Sequence, residues 1–249
     1  MRYFFHISYK GTNYSGWQRQ STASSIQQVI EETLAKLFDN SIYIVGCGRT
    51  DAGVHARQYY FHVDINEFPD YDLVYKLNKM LPRDIAVYDI APVAVNASAR
   101  LDATSRQYTY HFHTVKKPFL REESVFVESS SIDVSLMSHA LDLLAEQTDF
   151  SAFCKTPEKH NTCICHIDLA KVEGNDAGDE YVITIRGNRF LRAMMRIIVY
   201  RVISVGTGKL SLEHFKRYFS HGNEGQQVLL MPPQGLYLDE VKYSGRGED

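Results

Sequence analysis

The segment Gly46-Cys47-Gly48-Arg49-Thr50-Asp51-Ala52-Gly53-Val54-His55-Ala56 sets a carboxylate, a guanidinium, a hydroxyl and an imidazole along one short glycine-bearing run. Glycines at 46, 48 and 53 mark a backbone that turns tightly or is approached closely by another group. A carboxylate held in such a loop can act as a nucleophile or a general base. The same spacing also suits a surface turn in which Asp51 bonds its own backbone. Arg189, Arg192 and Arg196 recur at helical spacing, within a narrow arc at about 100° per residue, opposite Leu191, Met194, Met195, Ile198 and Val202. Such a stripe either faces solvent or offers forked donors to carboxylate and phosphate oxygens. Cys154, His160, Cys163, Cys165 and His166 are metal-ligand types, but no paired Cys-x-x-Cys hook is present. Cys163 and Cys165, two apart, would point to opposite faces of a strand, so buried thiols and no metal are expected.

The elements that must position these groups follow from periodicity and punctuation. Residues 2–9 read as a strand, followed by a loop with Gly11, Asn13, Ser15 and Gly16. Ser25-Ile26-Gln27-Gln28 has the form of a capping box opening a helix with Ile26, Val29, Ile30, Leu34, Leu37 and Phe38 on one side. Strands are expected at 42–45, 57–65 and 85–90, and a helix at 72–80 before Pro82. In the second half, 105–115 is a long strand with Tyr108, Tyr110 and Phe112 on one face and His111 and His113 on the other. A helix capped by Asp133 runs through Leu144. Strands follow near 165–172 and 181–186, then helices from about Phe190 and from Ser211, and a strand near 236–241. The pattern predicts an α/β (α+β) fold of two subdomains, 1–104 and 105–249, with a mixed, largely antiparallel sheet and a central cleft.

Composition bounds the rest. The chain has 249 residues, 44% hydrophobic and 23% charged, enough apolar content for a core without staples. Four cysteines are too few for a disulfide scaffold of this length and fit a reducing compartment. No secretory signal is expected, because the opening alternating segment leads directly into a polar loop. The longest apolar stretch, 190–205, is interrupted by Arg192, Arg196 and Arg201, which excludes a membrane span. A soluble, cytoplasmic protein is expected. The net charge of −3 argues against a nonspecific nucleic-acid coat but leaves room for a local basic groove.

The loop 48–56 resembles the signature Gly-Arg-Thr-Asp-Ala-Gly-Val-His-Ala of the TruA-type tRNA pseudouridine synthases. The resemblance extends over nearly the whole chain. Tyr9 to Gln20 is similar to that family's Tyr-Asp-Gly-Thr…Gly-Trp-Gln, and Ser25-Ile26-Gln27 to its Thr-Val-Gln. Asn78…Leu81-Pro82-Arg83-Asp84-Ile85-Ala86-Val87 resembles Asn…Leu-Pro-x-Asp-Ile-x-Val, and Ala99-Arg100 with Arg106-Gln107-Tyr108-Thr109-Tyr110 resembles Ala-Arg…Arg-x-Tyr-x-Tyr. Phe190-Leu191…Met194-Met195-Arg196 and Pro233-Gln234-Gly235-Leu236-Tyr237-Leu238 match two further motifs in the right order. Lys10, Ala97 and Tyr200 depart from the pattern, standing where Asp, Phe and a glycine are usual.

The resemblance implies the pseudouridine synthase fold and isomerisation of uridine at positions 38, 39 or 40 of the tRNA anticodon stem-loop, by a homodimer and without a cofactor. It carries the nucleophile to Asp51 and assigns Arg196 as the cation that favours its ionised form. Tyr108 becomes the tyrosine that stacks on the uracil; removing the C5 proton would require a pKa lowered from about 10. Arg49 corresponds to the arginine that fills the space of the extruded base, and His55 is expected to support the loop by hydrogen bonding. Because a mildly acidic chain must concentrate its basic residues along the cleft to hold RNA, Arg106, Arg189 and Arg192, with Arg49, Arg100, Lys116 and Lys117, are candidate phosphate contacts. Trp17 could touch RNA or pack the edge of the site. Two other readings stay open: a noncatalytic RNA-binding role, and modification of another RNA.

Overall fold

The computed structural model describes residues 1–223 and 227–244. Its strands are β1 (Arg2–Tyr9), β2 (Val45–Gly46), β3 (His55–Asp64), β4 (Ile85–Val93), β5 (Ala103–His113), β6 (Val125–Phe126), β7 (Ile167–Gly174), β8 (Glu180–Gly187) and β9 (Leu236–Tyr243). Its α-helices are α1 (Ile26–Phe38), α2 (Leu73–Met80), α3 (Val134–Ala145), α4 (Met194–Gly206) and α5 (Leu212–His221). The class is mixed α/β with largely antiparallel pairing.

The chain forms two compact units, Met1–Ser105 with the segment from Tyr237 onward, and Arg106–Leu236. It passes from the first to the second within β5 and returns within β9. The return differs from a simple division of the sequence after residue 104. It rests on the parallel pairing of Tyr237 and Leu238 with His55 and Ala56, a long-range contact with no local sequence signal.

In the first unit the strand order is β4-β1-β3-β9, with β2 on β3. Alternation along β1 and β3 points Phe5 and Phe61 inward, stacked with centroids 4.7 Å apart. Helix α1 buries Ile26, Ile30 and Leu34. The helix starts follow their caps: the side-chain oxygens of Ser25 and Asp72 accept from the amides of Gln28 and Tyr75. The strand expected at 42–45 is reduced to Val45–Gly46 because side chains take the backbone of Ile44. Its amide donates to Glu31 Oε1 at 3.2 Å, and its carbonyl accepts from Gln27 Nε2 at 3.2 Å.

In the second unit β5, β8 and β7 pair antiparallel in that order, and β6 adds parallel to β5. Asp133 and Ser211 cap α3 and α5. Helix α4 corrects a sequence expectation. It begins at Met194, after Ala193 in a left-handed conformation with φ 60°, so Arg189 and Arg192 precede the helix and no three-arginine stripe lies along it. The apolar side expected of it, Leu191, Met194, Met195, Ile198 and Val202, is buried, and Ile197, Val199, Ile203 and Val205 widen that face until only a strip with Arg196 and Tyr200 stays partly open. Among the described residues no helix is long and apolar enough to cross a membrane.

Candidate active site

Asp51 sits half-buried and Arg49 exposed on the loop joining β2 to β3, while Thr50 between them is buried. The loop closes through Val54 N–H donating to the Asp51 carbonyl at 3.2 Å, with Gly53 at φ 78° supplying the left-handed step. The guanidinium of Arg49 makes no hydrogen bond or ion pair among the described residues.

A second segment grips this loop on its inner side. Tyr9 shares a 2.8 Å hydrogen bond with the Thr50 hydroxyl. The Gly11 amide donates to His55 Nδ1 at 3.0 Å, Gly53 N–H to the Tyr14 carbonyl at 3.2 Å, and Trp17 N–H to the Thr50 carbonyl at 3.2 Å. Two glycines permit the approach. A Cβ on Gly11 would lie 1.9 Å from the Val54 carbonyl oxygen, and one on Gly16, at φ 90°, would lie 2.3 Å from that of Thr50. The segment 9–17 and the loop 49–55 are therefore two halves of one cradle holding the Asp51 backbone.

The cradle is anchored outward. Ile26 and Gln27 amides donate to the Gly16 and Trp17 carbonyls at 3.1 and 2.9 Å, fixing the segment 9–17 to the start of α1. The Tyr14 hydroxyl donates to Asp84 Oδ1 at 2.6 Å, and Lys10 N–H to the Asp84 carbonyl at 2.8 Å. Burial first, then the Asp84 contact, holds the Tyr14 phenol protonated well above its ordinary range. Asn78 bonds both the carbonyl and the amide of Val87, at 2.7 and 2.8 Å. The motifs around residues 9–20, 25–27 and 78–87 thus serve one purpose, to fix one loop. Trp17 packs rather than projects: it is 3% exposed and stacks on Tyr59 with centroids 4.1 Å apart. His55, 2% exposed, supports the loop as expected.

The second unit carries the remaining candidates. Tyr108 is half-buried on β5, opposite Ile185, and meets Phe190 edge to face at 4.9 Å. Arg106 Nη1 donates to the Asn188 carbonyl at 2.9 Å, so β5 sets Arg106 and Tyr108 beside the segment leaving β8. Tyr110 belongs to the core, fully buried, with its hydroxyl on the Pro232 carbonyl at 2.9 Å. Burial raises its pKa and the charge of Arg196 opposes that rise. Arg196 is held twice by one residue: Nε donates to the Met231 carbonyl at 2.6 Å, and Met231 N–H to the Arg196 carbonyl at 3.1 Å. Arg189 lies within electrostatic reach of the Cys163 and Cys165 thiols, and burial pushes the Cys165 thiol to about 11. Arg192 is exposed, its carbonyl accepting from the Lys155 amide at 3.1 Å.

Among the described residues no group of three or more His, Cys, Asp or Glu side chains could hold a metal ion. Residue patterning overlooked Gly11, Tyr14 and Asp84 as parts of the loop support. Only their place in the family-like motifs 9–20 and 78–87 could have signalled them, since each acts on a residue tens of positions away.

The chain matches the family model described as tRNA pseudouridine synthase over residues 6–102 and 141–244. It is 42% identical to the tRNA pseudouridine synthase A of Parabacteroides distasonis, over 97% of this chain and 96% of that protein. It is 40% identical to the protein of that name from Bacteroides thetaiotaomicron, over 97% and 90%, and 39% to that of Azobacteroides pseudotrichonymphae, over 97% and 96%. A match of this length, spanning both the loop that carries Asp51 and the helix that carries Arg196, shows that the chain belongs to the tRNA pseudouridine synthase family.

Proposed function

We propose that this protein converts uridine to pseudouridine in tRNA, at positions 38, 39 or 40 of the anticodon stem-loop, with Asp51 as the nucleophile. The observation that carries the reading is the cradle. Backbone and side-chain bonds from residues 9–17 fix the loop 49–55, yet Asp51 keeps part of its surface and Arg49 projects freely. A loop immobilised from within and open outward is how a protein pre-organises a reacting carboxylate.

In the reaction the glycosidic bond between C1′ and N1 breaks, the uracil turns, and C1′ joins C5. The proton leaves C5 and N1 gains one, so the product is an isomer and neither oxidant nor energy source is consumed. A carboxylate that attacks covalently holds the fragments together, as carboxylates do in glycosidases. Arg196 is assigned to favour the ionised carboxylate, and its double attachment to Met231 suits a guanidinium that must keep one position. Tyr108, ring-packed against Phe190, is assigned to stack on the extruded uracil. Arg49 is assigned to the space the base leaves, since extrusion costs about a few kcal/mol that a replacement side chain can offset. Arg106, Arg189 and Arg192 are assigned to RNA phosphates. A homodimer in which one tRNA spans both subunits is part of the reading.

The test is tritium release from tRNA labelled at uracil C5, with wild type, Asp51→Asn and Asp51→Ala. The reading expects release by wild type alone, with tRNA binding retained in both variants. Pseudouridine formed by Asp51→Ala at the wild-type rate would overturn it, and tRNA bound by wild type without release would favour a noncatalytic RNA-binding role.

A further inference from the structure

Helix α4 carries a second arginine that the reaction does not use. Arg201 is five residues beyond Arg196 and so leaves the helix roughly 140° away from it. Although 5% exposed, it has no carboxylate partner among the described residues. Its guanidinium lies between two rings, with Cζ 3.5 Å from the centroid of Tyr218 and 4.5 Å from that of Phe153. Nη2 donates to Asn223 Oδ1. Nη1 is buried and has no hydrogen-bond partner. A buried charged donor left unmet is uncommon, because its desolvation is not recovered.

Arg201 lines a cavity of about 180 Å³, together with Tyr200, Ser204, Lys209, Tyr218 and Asn223. Lys209 adds a second cation, held on a turn after α4 by bonds from Gly208 N–H to the Val205 carbonyl and from Leu210 N–H to the Ser204 carbonyl. Its ammonium has no ion pair among the described residues. No carboxylate lines the cavity among those residues either. Tyr200, one of the positions at which the sequence departs from the family pattern, supplies part of the wall. Burial draws the Arg201 pKa to about 10, so the group stays charged at neutral pH, its charge met by π faces and an amide oxygen.

Two cations, phenols and the amides of Asn223 and Gln227 line this small cavity, with Leu210 and Leu229 completing its wall, and they are the donor set of an oxyanion site. A guanidinium and an ammonium on one cavity, with no carboxylate among its described lining residues, suit a tetrahedral oxyanion better than a planar apolar ligand. The volume is below that of drug-sized pockets and admits a phosphoryl group with a short ester arm. We propose that Arg201 and Lys209 form a phosphate-binding pocket on the second unit, separate from the Asp51 reaction, which takes either a phosphate of the RNA backbone or a free phosphate.

The full-length protein is titrated with inorganic phosphate by equilibrium dialysis and by thermal shift, in wild type, Lys209→Ala, Arg201→Gln and Tyr200→Gly. The expected result is saturable binding that raises Tm in wild type, weakened about tenfold or more in Lys209→Ala, as loss of one charge-assisted contact implies, and absent in Arg201→Gln. Lys209 is exposed, so its variant reports even where Arg201→Gln fails to fold. Phosphate bound at the catalytic loop would survive both changes. Competition by a uridine-free tRNA stem-loop identifies RNA as the source of the phosphate, and its absence identifies free phosphate. No saturable phosphate binding, or binding equal in wild type and Lys209→Ala, overturns the proposal.

Discussion

The backbone amide of Gly11 donates to Nδ1 of His55 across 3.0 Å, and the Cα of the same glycine faces the neighbouring Val54 carbonyl so closely that a Cβ would lie 1.9 Å from its oxygen. One residue thus supplies a donor to the loop that bears Asp51 and makes room for that loop to approach. Gly11→Ala forces the two segments apart. Stability is expected to fall by about 1–3 kcal/mol, the usual cost of overpacking, and turnover by roughly 100-fold, the cost of displacing a reacting group by about an ångström. Single-turnover kinetics beside a denaturation curve separate the two effects. Wild-type turnover in Gly11→Ala would show that the cradle does not position Asp51.

Trp17 is the single tryptophan of the chain, and its burial against Tyr59 makes it a reporter of the first unit. A Cβ on Gly46 would lie 2.6 Å from its indole, so the ring is boxed in. Trp17→Ala is expected to cost about 3–5 kcal/mol, whereas Trp17→Phe should retain most of the activity. Acrylamide should quench the native emission weakly and the unfolded emission strongly. Strong quenching of the native protein, or its relief by tRNA, would return Trp17 to the RNA-contact role.

Much of this arrangement was legible in the residues, for reasons that differ between elements. Ser25, Asp72, Asp133 and Ser211 all begin helices because a short side-chain oxygen meeting an amide three residues on is a local event. The loop around Asp51 was visible in its glycines. The start of α4 was not, since the apolar run continues upstream of Met194 and the break lies in the left-handed Ala193, which no residue type announces. The arginine stripe failed with it. The support of the loop by Tyr14 and Asp84 stayed hidden because their contact spans 70 residues, and distance in sequence leaves no periodic trace.

Arg49 allows a test in which function moves and stability does not. Its side chain is exposed and engages no partner among the described residues, so Arg49→Ala should change stability by less than about 0.5 kcal/mol. Turnover on tRNA should fall roughly 10- to 100-fold, in line with an extrusion cost of a few kcal/mol that the side chain no longer offsets. The same assay on a substrate with the target uridine already unpaired should recover most of the loss. An equal defect on both substrates would assign Arg49 to phosphate contact instead.

Acid should weaken the fold through its histidines. Burial lowers the pKa values of His62, His113 and His6. His62 Nδ1 accepts from the Ala99 amide at 3.1 Å, and His113 Nδ1 shares a 2.8 Å bond with the Ser124 hydroxyl. With folded-state values below the unfolded value of about 6.5, the unfolded chain binds more protons between the two. Stability is therefore complete above about pH 6.5, declines as pH falls through the folded-state values, and levels off below them. Tm measured from pH 7.5 to 5 should show this decline, and His62→Gln should flatten it. A Tm constant over that interval would mean that these rings do not titrate with folding.

Arg196 separates charge from shape. A lysine in its place keeps a cation but has no Nε–H for the Met231 carbonyl, and its ammonium is free to wander on a flexible stem. Loss of that one bond should cost about 0.5–1.5 kcal/mol of stability. If Arg196 serves Asp51 as a fixed cation, the rate of the chemical step should drop by far more, roughly 100-fold, with tRNA affinity changed little, because a displaced charge favours the ionised carboxylate less. Arg196→Gln, which keeps a donor and removes the charge, should be slower still. Rapid-quench single-turnover rates set against tRNA dissociation constants decide the matter. Lysine and glutamine variants equally slow would make the contribution one of geometry alone, and a lysine variant as fast as wild type would release Arg196 from any part in the reaction.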